Sequence, residues 1–138
     1  MRFQVEFDSF HYRIFKISDL KDCLLQILHI VLMKQPGFMS INVNPDEQSI
    51  VMRSDICPDI ASIATCSTIY RLMKVDLYTP NGGIDEYGVL SELTKKLAHH
   101  KIPILLISSF NNNYVLYPLD LHPSVLKMCE SSDFYTIN

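Results

Sequence analysis

A short pattern recurs in this chain at two nearly constant offsets, and that repeat limits what it can fold into more than any other feature. Tyr12-Arg13-Ile14-Phe15-Lys16-Ile17 matches Tyr70-Arg71-Leu72-Met73-Lys74-Val75 in type at every position, 58 residues apart. Leu24-Leu25-x-x-Leu28-x-x-x-Leu32 aligns with Val89-Leu90-x-x-Leu93-x-x-x-Leu97, and Asp55-Ile56-Cys57-Pro58 with Asp120-Leu121-His122-Pro123, both 65 residues apart. The offset widens by seven, the length of the stretch Thr79 to Asp85, whose Pro, Asn and Gly content marks a loop. The expected division is residues 1–68 and 69–138, the second copy having the longer first connection and a short C-terminal tail.

Each copy reads the same way. Tyr12, Ile14, Phe15 and Ile17 predict a strand, and the apolar residues three and four apart that follow predict a helix, Leu20 to Met33 in one copy and Tyr87 to His100 in the other. Phe38 to Val43 with Ser49 to Arg53, and Ile104 to Ser108 with Tyr114 to Tyr117, read as hairpins around Asn-rich turns. Asp55 and Asp120 stand as N-caps of a last short helix, with Pro58 and Pro123 in its first turn, where a missing N–H does no harm. The unit is βαββα, twice, in an α+β fold. Units of about sixty residues bury only about 60% of their unfolded surface, so two copies sharing one antiparallel sheet, with helices on one face, is the stable arrangement. The first helix is apolar nearly all round, which predicts that copy one is the more enclosed.

Composition narrows the function. The 138 residues carry 12 Lys and Arg against 15 Asp and Glu, a formal charge of −3, so no basic surface for nucleic acid or anionic lipid is expected. The longest apolar stretch, Leu24 to Met33, is broken by Gln26 and His29 and is too short to span a membrane. Charges among Met1 to Asp8 occupy the place of a secretory apolar region, and Cys23, Cys57, Cys66 and Cys129 show no Cys-x-x-Cys spacing. The expected setting is therefore the cytoplasm, with reduced thiols.

No catalytic constellation can be assembled. His99-His100 project to different sides of a helix with no His or Cys at i+4, which fits a solvated helix end better than a metal. Ser108 and Ser109 lack a Gly-x-Ser-x-Gly elbow, and Asp85 and Glu86 are chain neighbours, poorly placed as a facing acid and base. The chain reads as a non-enzyme with no metal and no cofactor.

Gly88-Val89-Leu90-Ser91-Glu92-Leu93, with Leu97 and the run Ile102-Pro103-Ile104-Leu105-Leu106-Ile107-Ser108-Ser109-Phe110, resembles the helix start and following strand of ACT domains. Residues 69 to 120 are similar to the C-terminal half of small tandem ACT proteins, which resemble the cytosolic arginine sensors of the target-of-rapamycin pathway. The resemblance implies two ferredoxin-like ACT units and a regulatory protein that holds a small amino acid between neighbouring units. It places the ligand against Asp85, Tyr87, Gly88 and Val89 on one side and Ser108, Ser109, Phe110, Asn111, Asn112 and Asn113 on the other. A glycine at a strand-to-helix turn lets backbone N–H groups face a carboxylate. Where the family loop carries an Asp this chain has Asn113, whose neutral hydrogen bonds are roughly half as strong as charge-assisted ones. The residue before the glycine is Tyr87 rather than Ser or Thr.

Plainer readings exist for the same residues. Gly88 serves equally as a helix-start glycine, Asn111 to Asn113 as a hairpin turn, and Asp85 with Glu86 as complements to the positive end of a helix. The alternative function is a protein–protein interaction module that keeps the fold without a ligand. A homodimer or a regulatory protein is the expected macromolecular partner.

Overall fold

The computed structural model describes residues 2–56, 63–77 and 88–137. The chain divides into two compact units, residues 10–70 and residues 1–9 with 71–138. The first strand, β1 (Phe3–Ile17), runs through the boundary.

In the unit of residues 10–70, β1 leads into α1 (Leu20–Met33), β2 (Ser40–Val43), β3 (Gln48–Arg53) and β4 (Ile63–Cys66). Phe15 pairs with both Ile50 of β3 and Cys66 of β4, so those strands occupy opposite edges of β1, each antiparallel to it. β2 completes the order β2-β3-β1-β4 by pairing Ser40 with Val51. The Asp19 carboxylate accepts the Lys21 N–H at 3.0 Å, satisfying one of the free donors at the start of α1. The chain leaves α1 through Gln35 and Gly37, both at positive φ.

The core of this unit is Phe15, Ile17, Cys23, Ile27, Ile30, Ile50 and Met52. Only one stripe of α1, Cys23, Ile27 and Ile30, is buried. The helix is not enclosed as its apolar circumference predicts: Leu24, Leu25, Leu28, Val31, Leu32 and Met33 are 45–79% exposed. A sheet covers one face of a helix, and among the described residues of this unit no second layer covers the other. Asp55 caps no helix in the described residues; it holds the Arg53 guanidinium at 2.7 Å, and that pairing keeps its carboxyl below the usual range. Pro58 and the helix expected there lie outside the described residues.

The other unit contains the start of β1, then β5 (Tyr70–Leu77) from Arg71, α2 (Val89–His99), β6 (Leu105–Ser108), β7 (Asn113–Pro118), α3 (His122–Met128) and β8 (Phe134–Ile137). Leu105 pairs antiparallel with Leu116, β5 lies between β7 and β1, and β8 pairs with β1 from Phe3↔Phe134 to Glu6↔Ile137. The β1–β8 pair is parallel, so the sheet is not wholly antiparallel. Residues 134–137, read from the sequence as a tail, are thus a strand, anchored by the Phe3 N–H to the Asp133 carbonyl at 2.7 Å.

Alternation explains the core here. Phe3 and Val5 on β1, Met73 and Val75 on β5, and Val115 and Tyr117 on β7 turn the same way, and Leu93 and Leu97 of α2 and Val125 and Met128 of α3 cover them. α2 is amphipathic, exposing Ser91, Glu92 and Lys95. Asp120 is not the N-cap of α3. It lies in a tight turn, Leu119–Leu121, and Leu121 precedes the helix without a side-chain cap, while Pro123 sits in the first turn as expected.

Candidate functional site

The connection into α2 and the β6–β7 hairpin carry the expected ligand residues. Gly88 precedes α2 with φ +79° and ψ 10°, a left-handed conformation that L residues adopt at a cost and glycine does not. Its carbonyl accepts the Glu92 N–H at 3.0 Å, the first bond of the helix. Among the described residues no side chain caps the start of α2, and a Cβ built on Gly88 would meet none of them within 4 Å. The left-handed backbone alone favours glycine here. Val89 is half-buried against the core, which pins the first turn of the helix. Asp85 and Tyr87 lie outside the described residues.

The hairpin is closed by its own polar groups. Ser108 Oγ donates to Asn113 Oδ1 at 2.8 Å across the last register pair, and the Ser109 N–H donates to the Asn112 carbonyl at 2.8 Å. Ser109 Oγ approaches the same carbonyl at 3.4 Å. Phe110, at the tip, is 100% exposed, with Asn111 exposed beside it. Ser108, Ser109, Asn112 and Asn113 are thus brought together as a turn, as their composition predicts, while Phe110 and Asn111 project freely. The hydrogen bonds of Ser108 and Ser109 stay within the hairpin and do not reach Gly88.

One polar cluster escaped the sequence reading. The hydroxyl of Tyr117, fully buried, and Nδ1 of His122 share a hydrogen bond of 2.8 Å, and the two rings stack at 5.9 Å with 8° between planes. Phe7 meets His122 edge-on at 5.5 Å. Burial raises the Tyr117 phenol far above its ordinary range and lowers His122, with the Arg71 cation lowering it further. Both directions keep Tyr117 protonated and His122 neutral. Arg71 donates to the Asp8 carbonyl at 3.0 Å, leaving its buried Nε without a partner. Sequence spacing held a weak signal: Tyr117 and His122 flank a Pro-containing turn from strand to helix, where side chains five apart can meet.

His99 and His100 contact each other edge-on at 5.5 Å and line a groove of about 580 Å³ between α2 and α3. There Lys96 pairs with Asp133 at 2.6 Å, which, with the nearby Lys96 charge, holds the Asp133 carboxyl below its usual range. The groove carries both signs of charge, with no enclosed position for a reacting group. Among the described cysteines Cys66 and Cys129 are free, and burial pushes the Cys129 thiol up to about 11. No helix of the described residues is long and apolar enough to cross a membrane.

Comparison with known proteins bears on this unit. Residues 67–127 match the family model for the ACT domain, and that stretch includes Gly88, α2 and the β6–β7 hairpin. No curated protein matches the sequence. Among solved structures, an Agrobacterium tumefaciens protein superimposes with a TM-score of 0.69 at 17% identity, covering 99% of this chain and 93% of its own. A Vibrio cholerae protein of unknown function gives 0.69 at 15% identity over 91% and 86%. The regulatory subunit of aspartate kinase from Thermus thermophilus, in its ligand-free form, gives 0.61 at 14% identity over 91% and 95%. At these identities the likeness is one of fold.

Proposed function

We propose that this protein is a non-catalytic regulatory module of the cytoplasm that binds a small amino acid at its ACT domain and reports it to a partner. The observation that carries the reading is the open, uncapped start of α2 at Gly88 inside the segment that matches the ACT family. No side chain of the described residues accepts from its first N–H groups, and a helix N-terminus favours a carboxylate there. The β6–β7 hairpin supplies the rest: Asn111 offers an amide, the hairpin carbonyls accept from an ammonium, and Phe110 offers an apolar surface to an aliphatic group. A helix that starts where β5 ends and runs back along the sheet returns β6 in the direction of β5. The β6–β7 turn then lies at the end of the sheet where α2 begins, which is why one ligand can meet both. Asp85 and Tyr87, on the approach to Gly88, belong to the same proposed site. The aspartate kinase regulatory subunit shares this fold, which supports a regulatory role, and the free thiols support a reducing compartment.

Following the thermal midpoint against the twenty amino acids tests the reading. A true ligand at a hundred times its Kd adds about 2.7 kcal/mol, which for a domain of this size raises the midpoint by about 9 °C. Calorimetry then locates the site: Gly88→Val and Phe110→Ala should each weaken binding. Unchanged affinity in both, with the fold intact, places the ligand elsewhere. No shift with any amino acid favours an interaction module that has lost its ligand, a reading to which the mutual satisfaction of Ser108 and Asn113 lends weight.

A further inference from the structure

We infer that Arg71 and His122 form a second ligand site, a cradle for a single carboxylate at the end of the sheet away from Gly88; this goes beyond the amino acid reading and does not depend on it. Arg71 is the second residue of β5 and lies two places before Met73, so its side chain leaves the strand on the face that α2 and α3 cover. Tyr117 leaves β7 on the same face, and His122 opens α3. β5 begins at the Arg71 end and finishes at the connection into α2, whereas β7 begins at the Asn113 hairpin and finishes at Pro118. Arg71 and Tyr117 therefore stand at the opposite end of the sheet from Gly88 and Phe110. All of these residues belong to the unit of residues 1–9 and 71–138.

The guanidinium is always charged, and among the described residues it has no counter-ion. Arg53, Lys74 and Lys96 each have a carboxylate partner, in Asp55, Asp76 and Asp133. Half-buried Arg71 has only the Asp8 carbonyl, at 3.0 Å from Nη2. Its Nε is buried without a partner, and Nη1 makes no hydrogen bond among the described residues. Asp120, two residues before His122, is exposed and pairs with neither. A charge held partly out of water without a partner costs stability, and the orphaned Nε adds to that cost. An anion from outside the chain removes the first of these costs.

The imidazole gives the site direction. Tyr117 occupies Nδ1 and stacks on the ring, and Phe7 meets it edge-on, so the ring is held and Nε2 is the nitrogen left for a ligand. Desolvation and then the Arg71 charge lower the His122 pKa, which puts the two groups within electrostatic reach. One cation beside a neutral imidazole balances one negative charge, and that selects a carboxylate over a phosphate dianion. Nη1 donates to one carboxylate oxygen and the Nε2–H tautomer of His122 to the other, the first a charge-assisted bond. The edge of Phe7 offers an apolar neighbour to whatever carries the group. A free organic acid and an acidic side chain of another protein present the same chemistry.

NMR titrations of the ¹⁵N-labelled full chain with sodium acetate, sodium benzoate and inorganic phosphate, at pH 7.5 and constant ionic strength, test the inference. Acetate and benzoate should shift the Arg71 Nε–H and the His122 ring signals to saturation, with a Kd on the order of 1–10 mM, and phosphate, chiefly a dianion there, should bind at least about 3-fold more weakly. Saturating acetate should raise the His122 pKa, because the bound charge cancels that of Arg71. Arg71→Gln should raise that pKa without ligand and abolish the acetate response. Arg71→Lys, which keeps the charge if the Gln variant fails to fold, should bind acetate with a loss under about 10-fold. Lys74→Gln, a charge on the same strand already paired with Asp76, should respond as the wild type does. A blocked peptide carrying one Glu separates the two sources: binding at the level of acetate supports a protein carboxylate, and exclusion while acetate still binds supports a free acid. Drift without saturation up to about 100 mM acetate, an undiminished response in Arg71→Gln, or phosphate binding tighter than acetate overturns the inference.

Discussion

The Tyr117–His122 pair allows a stability cycle whose asymmetry follows from burial. Tyr117→Phe keeps the ring in its stack and removes a hydroxyl that hydrogen-bonds at 2.8 Å, so it should cost about 1 kcal/mol, the net worth of one hydrogen bond. His122→Phe also keeps a ring in place but leaves the hydroxyl of a fully buried tyrosine without an acceptor. The desolvation of that group is then uncompensated, and the cost should be about 2 kcal/mol or more. In the double variant neither partner is orphaned, so the total should fall below the sum of the singles by about 1 kcal/mol. Urea melts at pH 7.5 read all four proteins. Repeating them at pH 5.5 adds a sign test. Desolvation, then the Arg71 charge, lowers the His122 pKa on folding. The stability this histidine contributes is therefore complete above its unfolded value of about 6.5 and is lost as pH falls toward the folded value. The wild type should weaken more than His122→Phe between the two pH values. Additive single costs, or an identical pH response in the wild type and His122→Phe, would refute the reasoning, because the first denies the bond and the second denies the partly buried neutral imidazole.

Three further outcomes are expected. Gly88→Ala should lower stability by about 1–2 kcal/mol for a left-handed L residue alone, since no atom crowds its Cβ, and Gly88→Asn should cost less; thermal melts with equal losses for both would contradict this. Leu97→Ala should cost about 2–5 kcal/mol, because Leu97 is 1% exposed in the core beneath α2, whereas Leu90→Ala at the partly exposed start of that helix should cost under about 1.5 kcal/mol; denaturant midpoints compare the two. Iodoacetamide at pH 7.5, followed by peptide mapping, should label exposed Cys66 well before Cys129, whose thiol is pushed up to about 11, and Cys23 only on unfolding.

Much of the fold was legible because its periodicity is local. The apolar spacing of Leu20 to Met33 marks α1 to the residue, and alternation with turn residues marks both hairpins to within two. The left-handed Gly88 is legible too, as a glycine at a strand-to-helix turn. The start of β1 had a local signal as well, since Phe3, Val5 and Phe7 alternate with Gln4 and Glu6. Residues 134–137 had none: β8 pairs parallel with the distant start of β1, so no hairpin turn marks it, and Phe3 and Phe134 meet across the sheet with ring centroids 5.5 Å apart.

The tertiary structure alone decided which apolar residues are buried and which polar ones meet. Spacing along α1 describes two equally apolar stripes, and only the position of the sheet selects Cys23, Ile27 and Ile30 for the core and leaves Leu25, Leu28 and Leu32 outside. Placing Arg71, Tyr117 and His122 within one polar cluster needs β5, β7 and α3 packed together, a long-range fact that no window of sequence contains. The assignment of Phe3 to Ser9 to the unit that holds residues 71–138 is of the same kind. Sequence by itself determined the elements, since backbone preference and hydrophobic period act over a few residues; burial is a property of what lies opposite, and what lies opposite comes from far along the chain.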